Sequence, residues 1–505
     1  MPNVGYVRDE VTNSLARWTK VRDCLSGDES VKLHDSEGAE SSTGTNRYLP
    51  KPNAADLSAA NTLRYRQYIE RAVFYPVTGR THTGLVGQAF QKDPTLELPA
   101  QLEVLETDCD GAGVGLISQA KKALGMVLAY GRAGLLTDYP KTAAPASKAD
   151  MLKGELRPSL VLYDPWSVIN WRTKMVGAKH VLTLVVIHES HIVEDDGFET
   201  KDDERWRVLS IEPSGIYRVG LWQQYKDGKE TGFMETESYN PMDARGQNLR
   251  EIPFTFLGSL NNDPLVDLAP LYDLASLNIA HYRNSADFEE SCYMVGQPTP
   301  VFIGLTEHWA KEVLGGSMSL GSRGSIPLPT GADAKLLQVA PNIMPKEAME
   351  IKERQMVAIG ARLVEQREVQ RTLGEARLEY AGEISTLGTC AKNVAAGCER
   401  ALGWAGAFAG TDEPSTFTVY PDAELGRMTP EERNQLVLEW QAGAIVESEM
   451  RSKLQQAGVA TLSLEEYRAE KEATVSYTPG TASTPQKLPV QGSPADEQQP
   501  TEGAA

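Results

Sequence analysis

The sequence predicts an α+β protein whose helical and strand-rich stretches are segregated along the chain. Three observations carry this. Apolar residues recur at helical spacing ahead of Tyr130 and again after Leu268. Between Leu135 and Phe256, short runs rich in Val, Ile, Leu, Trp and Tyr are separated by turn residues such as DDG, PSG and KDGKE, the pattern of a strand meander. The second half orders a long helix, a compact α/β insert, a second helix, a short polar interruption and a third long helix.

An N-terminal arm, residues 1–47, holds one short helix around Val11–Cys24, followed by a polar SEGAESSTGT segment that reads as a mobile loop. YLPKP (Tyr48–Pro52) is extended, because each proline biases the residue before it away from helix. Leu63–Phe74 is a helix rich in Arg and Tyr, and THTGLVGQAFQKDP a turn into another short helix. Gln101–Cys109 has helical spacing, and Leu116–Tyr130 repeats apolar residues until Gly131 stops it. LLTDYP, SLVLYDPWSVINWR, HVLTLVVIHES, RWRVLSI and GIYRVGLWQQY are the expected strands.

After PFTFLGSLNNDP, Leu268–Val295 carries Leu271, Leu274, Leu277, Asn278, His281 and Tyr282 at helical spacing, with Pro270 in the first turn. At ~1.5 Å per residue this is a rod of roughly 40 Å. GQPTP ends it. Thr299–Asn342 should contain a strand (PVFIGL), a short helix (EHWAKEVL), a Gly/Ser-rich loop (GGSMSLGSRGS) and a strand pair around Ile326 and Leu336–Val339. Met344–Val364 is a second rod and EQREVQRT interrupts it. Leu373–Phe408 is the third, with an Ala/Gly-rich C-terminal half suited to close packing. STFTVYPD reads as one strand. TPEERNQLVLEWQAG opens with Thr429 as N-cap and Pro430 in the first helical position, and VESEMRSKLQQAG and SLEEYRAEKEA add two short helices. The last thirty residues carry almost nothing large and apolar and are expected to stay disordered.

A chain of 505 residues, 41% apolar, has material for two to four domains. Its net charge of −19 argues against a surface that grips phosphate backbones generally, though not against a local basic patch. Charged residues interrupt every stretch before the ~20 apolar residues that a bilayer requires. MPNVGYVRDEVTNSLARW lacks the apolar core of a secretory signal. The five cysteines are scattered and odd in number, which suits a reducing compartment and burial as small apolar residues.

Chemistry-bearing motifs are sparse. GAGVG (Gly111–Gly115) has neither a Gly-Lys-Ser/Thr ending nor a clear preceding strand, so it reads as a loop or helix start. No GxSxG is present. His188 and His191 are three apart in or beside a strand, which sends them to opposite faces and not onto one metal. Turns account for Asp108, Asp110, Asp138 and Asp164, and His281 is a packed or hydrogen-bonded helix residue. The expectation is a protein that is not an enzyme, with no catalytic, cofactor or metal site.

The helix–insert–helix–loop–helix order, with YLPKP, YRQYIERAVFYPVTGRTHTGLVGQAFQKDP, LAYGRAGLLTDYP, LYDPWSVINWR, LAPLYDLASLNIAHYRNSADFEESCYMVGQPTPVFIG and GEARLEYAGEISTLGTCAKNVAAGCERAL, resembles the portal proteins of tailed bacteriophages. These are head-to-tail connectors, and the likeness is to the subgroup with a YLPKP-type N-terminal region, over about residues 45 to 475. The resemblance implies a portal fold and a virion protein at the portal vertex of the capsid, in the host cytoplasm before assembly. It implies a ring of about twelve subunits whose channel passes double-stranded DNA during packaging and ejection. By the same resemblance, residues 48–267 are the wing, 268–298 and 344–364 the two stem helices, and 299–343 the clip. Residues 365–372 are the tunnel loop, 373–428 a long wing helix and strand, 429–475 a helical crown and 476–505 a disordered tail. The implied partners are the terminase large subunit, the head-tail connector or adaptor, and the major capsid and scaffolding proteins.

In the tunnel loop, Gln366, Arg367, Gln370 and Arg371 would form a weak cationic belt that touches phosphates without reading bases. Ion pairing of the two arginines with Glu365, Glu368 or Glu375 is the alternative. An otherwise acidic lining would let the duplex slide, since each neutralised phosphate adds affinity. In the clip, Trp309, Ser322 and Arg323 are the candidate interface, against the alternative that Trp309 packs its own short helix on the strands. Arg64, Arg66, Arg71, Lys121 and Lys122 are expected in solvent or intersubunit salt bridges. A nucleotide-dependent packaging enzyme would need a phosphate loop and an acidic strand end, neither of which is found, and another virion structural protein is the remaining alternative.

Overall fold

The computed structural model describes residues 3–33, 45–139, 141, 157–227, 230–243, 245–296, 299–313, 328–337, 342–363, 385–421, 430–456 and 467–468. They divide into two units, Met1–Asp422 and Ala423–Ala505.

Helix α1 (Asp9–Ser26) starts on Asp9 and Glu10, whose charges suit the positive end of a helix dipole, and stops at Gly27 with φ 98°. Its buried Trp18 donates from Nε1 to the Tyr130 carbonyl at 2.9 Å. The single turn α2 (Asp28–Lys32) follows. Helix α3 (Ala59–Arg71) is capped by Ser58, whose side chain accepts from the Asn61 backbone N–H. THTGLVGQA, expected to begin as a turn, is instead wholly inside helix α4 (Val77–Ala89). Its glycines are used for approach: a Cβ at Gly79 would lie 3.5 Å from the Leu25 carbonyl at the end of α1.

Strand β1 (Thr95–Glu97) and the short α5 (Val104–Thr107) lead to α6 (Leu116–Tyr130). Helix α6 ends at Gly131 as the sequence predicts, in the left-handed region with φ 76°. A Cβ there would sit 2.6 Å from the Asp267 carbonyl, so both the turn and the neighbouring backbone require glycine.

Strand β2 (Arg132–Asp138) is the centre of a three-stranded antiparallel sheet, between β3 (Ser159–Tyr163) and β9 (Phe254–Gly258). It is buried almost throughout instead of alternating, so both of its faces are covered. A second sheet is an antiparallel meander of β4 (Val168–Val176), β5 (Lys179–Asp195), β6 (Thr200–Ile211), β7 (Tyr217–Asp227) and β8 (Glu230–Tyr239). Polar side chains tie the sheets together. Arg207 pairs with Asp138 at 2.8 Å and Glu189 at 3.1 Å, while the Tyr163 hydroxyl donates to Glu189 at 3.1 Å. Asp138, ascribed above to a turn, is therefore part of this inter-sheet ion pair. Asp164 does make a turn, accepting from the Ser167 N–H and hydroxyl.

Helix α7 (Tyr272–Gly296) follows β9, and Pro270 lies ahead of it, not in its first turn. The antiparallel hairpin of β10 (Thr299–Ile303) and β11 (Asp333–Leu337) separates α7 from α8 (Met344–Arg362). The expected strand at Ile326 lies outside the described residues.

Helix α9 (Thr386–Ala409) covers the three-stranded sheet, with Ser385 as its N-cap; the start of the predicted rod, up to residue 384, lies outside the described residues. The small residues of α9 permit close approach: a Cβ at Gly397 would lie 2.1 Å from Leu257 Cδ2. Thr137 Oγ1 donates to the Ala401 carbonyl at 3.1 Å across the same contact. Strand β12 (Thr416–Thr418) pairs antiparallel with β1. In the second unit, α10 (Pro430–Gln441) begins on proline as expected, and α11 (Glu447–Gln456) follows. Thr429, SLEEYRAEKEA except Tyr467 and Arg468, and the terminal thirty residues lie outside the described residues.

Candidate assembly stalk

Helix α7 is two helices in one by its surroundings. Its first half is apolar on one face and enters the core, burying Leu274, Ala275, Ile279, Tyr282 and Ala286. Beyond Ala286, no residue up to Gly296 is buried. At ~1.5 Å per residue, about 15 Å of helix therefore projects past the core.

The root is held by polar contacts. Asn278, fully buried, accepts through Oδ1 from the Thr78 N–H at 3.2 Å and hydroxyl at 2.9 Å, and donates from Nδ2 to the Tyr75 carbonyl at 2.8 Å. Arg283 donates from Nε to the Tyr48 carbonyl at 2.8 Å, and the Tyr48 hydroxyl donates to Asp23 at 2.7 Å. YLPKP thus straps α7 to α1. Beyond the root, on the part of α7 past Ala286, Arg64 pairs with Glu290 at 3.4 Å, and Arg71 pairs with the same carboxylate. Arg64 thus makes the solvent-facing bridge expected of it, while Arg71 is partly buried and spent within the chain.

Helix α8 returns antiparallel along α7, as His281 Nε2 lies 3.2 Å from Glu353 Oε1 while Asp273 shares a groove with Arg362. His281 is the hydrogen-bonded helix residue expected from the sequence. The groove, about 560 Å³ and open, runs between the two helices and is lined by Ser276, Leu277, Gln355 and Ile359 among others. Only Met356 of α8 is buried, while Met344, Ile351 and Val357 are exposed, the last 72%. The hairpin at the far end is just as open: Ile303, Leu336 and Leu337 face solvent, and β11 is exposed throughout. Trp309 is half-buried in a π-helical turn, Trp309–Val313, which lies within the expected short helix. Its backbone N–H donates to Thr306 Oγ1 at 3.3 Å. Ser322 and Arg323 lie outside the described residues, as do Gln366, Arg367, Gln370 and Arg371 with Glu365, Glu368 and Glu375.

The other motifs resolve into structural roles. GAGVG does precede a helix, but its first four amides are occupied. Asp108 Oδ1 accepts from Gly111 and Gly113, and Asp110 Oδ1 from Ala112 and Val114. Two carboxylates thus stand where a phosphate cradle would offer free N–H groups. Burial works to raise the Asp108 pKa, but the Gly113 and Gly111 amides and its ion pair with Arg157 together lower it. His188 stacks on Trp206 with ring centroids 4.8 Å apart, while His191 Nε2 meets Gln223 at 3.0 Å. They point to opposite faces as expected, and no group of three or more metal-ligating side chains occurs among the described residues. Among them, too, no helix is long and apolar enough to cross a membrane.

Cys24, Cys109, Cys390 and Cys398 are buried free thiols, each pushed up to about 12 mainly by burial. Cys292, on the projecting part of α7, is exposed, contrary to the expectation of burial. Lys121, Lys122 and Arg66 are all exposed, Lys121 with its ammonium 5.5 Å from the Phe90 ring centre. Sequence reasoning missed Arg132, wholly buried between Trp171 and Phe256, each ring centre 4.0 Å from its guanidinium carbon. Burial pushes its pKa down. A cation inside an apolar strand was the available signal.

Residues 270–409, spanning α7 to α9, match the model of a domain of unknown function, DUF4055. The comparison with curated proteins returns no match. Among solved structures, the chain is similar to one from the virion of a native gene transfer agent particle, at 16% identity and a TM-score of 0.39, over 80% of this chain and 94% of that one. A chain from the neck of an empty gene transfer agent particle, computed with sixfold symmetry, gives 15% identity and a TM-score of 0.40 over 77% and 91%. One from the neck of the native particle, computed with twelvefold symmetry, gives 15% and 0.39 over 76% and 91%.

Proposed function

We propose that the protein is a portal subunit: copies assemble into a ring of about twelve that forms the DNA channel at one capsid vertex. The observation that carries this is the stalk. An antiparallel helix pair leaves the core and ends in a two-stranded hairpin, and apolar side chains on both α8 and the hairpin are uncovered in the single chain. A lone hairpin is marginal in water, and apolar surface of this kind marks an interaction site. Packing many stalks side by side covers these faces and leaves a bore. The sequence phrases shared with tailed-phage portals support the same reading.

In this proposal α7 and α8 are the stem and the hairpin with the Trp309 turn is the clip, which docks the terminase large subunit and later the head-tail connector. The wing holds both sheets and α9, and α10 and α11 belong to the crown. Major capsid and scaffolding proteins surround the ring in the virion. The segment with Gln366, Arg367, Gln370 and Arg371 faces the duplex and touches it without sequence preference. The net charge of −19 per chain keeps the remaining lining from holding DNA. The protein performs no chemistry, and the first four GAGVG amides, satisfied by Asp108 and Asp110, support that over nucleotide hydrolysis.

Negative-stain imaging of the purified chain tests the proposal. Rings with a central hole wide enough for a duplex, without ATP hydrolysis, are expected. Monomers or compact small oligomers, or a preparation that hydrolyses ATP in proportion to its purity, would overturn it.

A further inference from the structure

The five-stranded sheet carries opposite charges at its two ends. At one end, the tip of the β4–β5 hairpin from Arg172 to His180 contains Arg172, Lys174 and Lys179 and no carboxylate. Every residue in it is exposed, Met175 and Val176 included, and none of the three cations makes an ion pair among the described residues. At the other end, the tip of the β5–β6 hairpin from Glu194 to Glu204 holds seven carboxylates against one lysine, Lys201, and all are exposed. At its apex Phe198 is 98% exposed, beside exposed Ile192 and Val193.

The two ends cannot satisfy each other within one chain. Strand β5 connects them, pairing Val176 with Lys179 at its start and Asp195 with Thr200 at its end. Its seventeen residues at ~3.4 Å each set the ends roughly 55 Å apart. Each end is therefore left with unpaired charge of one sign around a bare apolar tip. The complement of each is the opposite end of another copy.

We propose that copies of this chain dock head to tail through this sheet, the basic β4–β5 end of one against the acidic β5–β6 end of the next. Met175 and Val176 of one copy cover Phe198 of its neighbour, and Arg172, Lys174 and Lys179 face the carboxylates around it. Such a contact is heterologous, so repetition generates a ring when the rotation closes. The charges set the order of copies and oppose like ends meeting. The inference rests on the ring reading and names a surface within it.

Charge exchange tests it on the full-length chain, with assembly measured by sedimentation velocity. Reversing the basic end (Arg172→Glu, Lys174→Glu, Lys179→Glu) should weaken assembly at least tenfold, as should reversing the acidic end (Asp195→Lys, Asp196→Lys, Glu199→Lys, Asp202→Lys, Asp203→Lys). The chain carrying both reversals, and an equal mixture of the two single-end variants, should recover assembly, because opposite ends meet again. Phe198→Ser should weaken it without changing the salt dependence. All these sites are exposed at the two ends of the sheet, and circular dichroism checks that each variant folds. Assembly unchanged by either reversal, or not restored by exchange, overturns this contact while a wild-type ring keeps the portal reading. A wild type that stays monomeric overturns both.

Discussion

Replacing Asn278 by alanine tests whether the root of α7 is fixed by its buried polar anchor or merely by apolar packing. The side chain is fully buried and makes three hydrogen bonds, to the Thr78 N–H, the Thr78 hydroxyl and the Tyr75 carbonyl. Thr78 is itself fully buried, so its N–H finds no replacement when the amide goes. An orphaned buried donor or acceptor costs about 1–3 kcal/mol, and the void left by the amide adds on the order of 1 kcal/mol. With the hydroxyl free to rotate, two orphans and the void sum to about 3–7 kcal/mol. Asn278→Asp should be no better, because it keeps the acceptor but turns a carboxylate oxygen toward the Tyr75 carbonyl. The matched control is Tyr68→Phe, which removes an exposed 2.7 Å hydrogen bond to Asp287 on the same helix and should cost about 1 kcal/mol or less. Urea unfolding followed by tryptophan fluorescence gives the difference, and hydrogen exchange across α7 locates it. A loss below about 1 kcal/mol for Asn278→Ala would show that apolar packing alone holds the stalk root.

Two further outcomes follow from titratable groups. Iodoacetamide at pH 8 should modify the folded, unassembled chain only at Cys292, because burial pushes the other four thiols to about 12, and all five should react in urea; peptide mass mapping reads this, and an adduct on Cys109 or Cys398 in the folded chain contradicts it. Asp108 has its carboxyl held below the ordinary range, so its contribution to stability is present at neutral pH and is lost as pH falls through that lowered value. The melting temperature of the wild type should therefore fall more steeply between pH 5 and pH 3 than that of Asp108→Asn, which still offers an oxygen to the Gly111 and Gly113 amides; parallel curves would refute the assignment.

Local signals carried most of the element order. Gly131 ended α6 because a residue at positive φ and close to another backbone must lack a Cβ. The Ala/Gly stretch of α9 foretold close packing, since small residues alone admit Leu257 at Gly397. Local rules failed where tertiary contact overrode them. The glycines of THTGLVGQA suggest a turn, yet α4 stays helical because it lies against α1. Asp138 looks like a turn residue until β6 brings Arg207 to it.

The candidate site was legible in outline and not in detail. Apolar spacing gives a helix over Leu268–Val295 but not the point, Ala286, where that helix leaves the core, because burial depends on what packs alongside. Arg64 and Arg71 read as generic surface charge, and only the fold delivers Glu290 to them across more than 200 residues of chain. The two charged turns are visible as strings of letters, RTKMVGAK and EDDGFETKDDE. That they lie at opposite ends of one rigid sheet was decided by strand pairing. Composition and periodicity act between neighbours along the chain and so determined which segments are helix or strand and that the chain is acidic. Which charges meet, which apolar faces stay bare, and therefore what a second copy could cover, depend on distances through space that hydrogen-bond register and core packing alone establish.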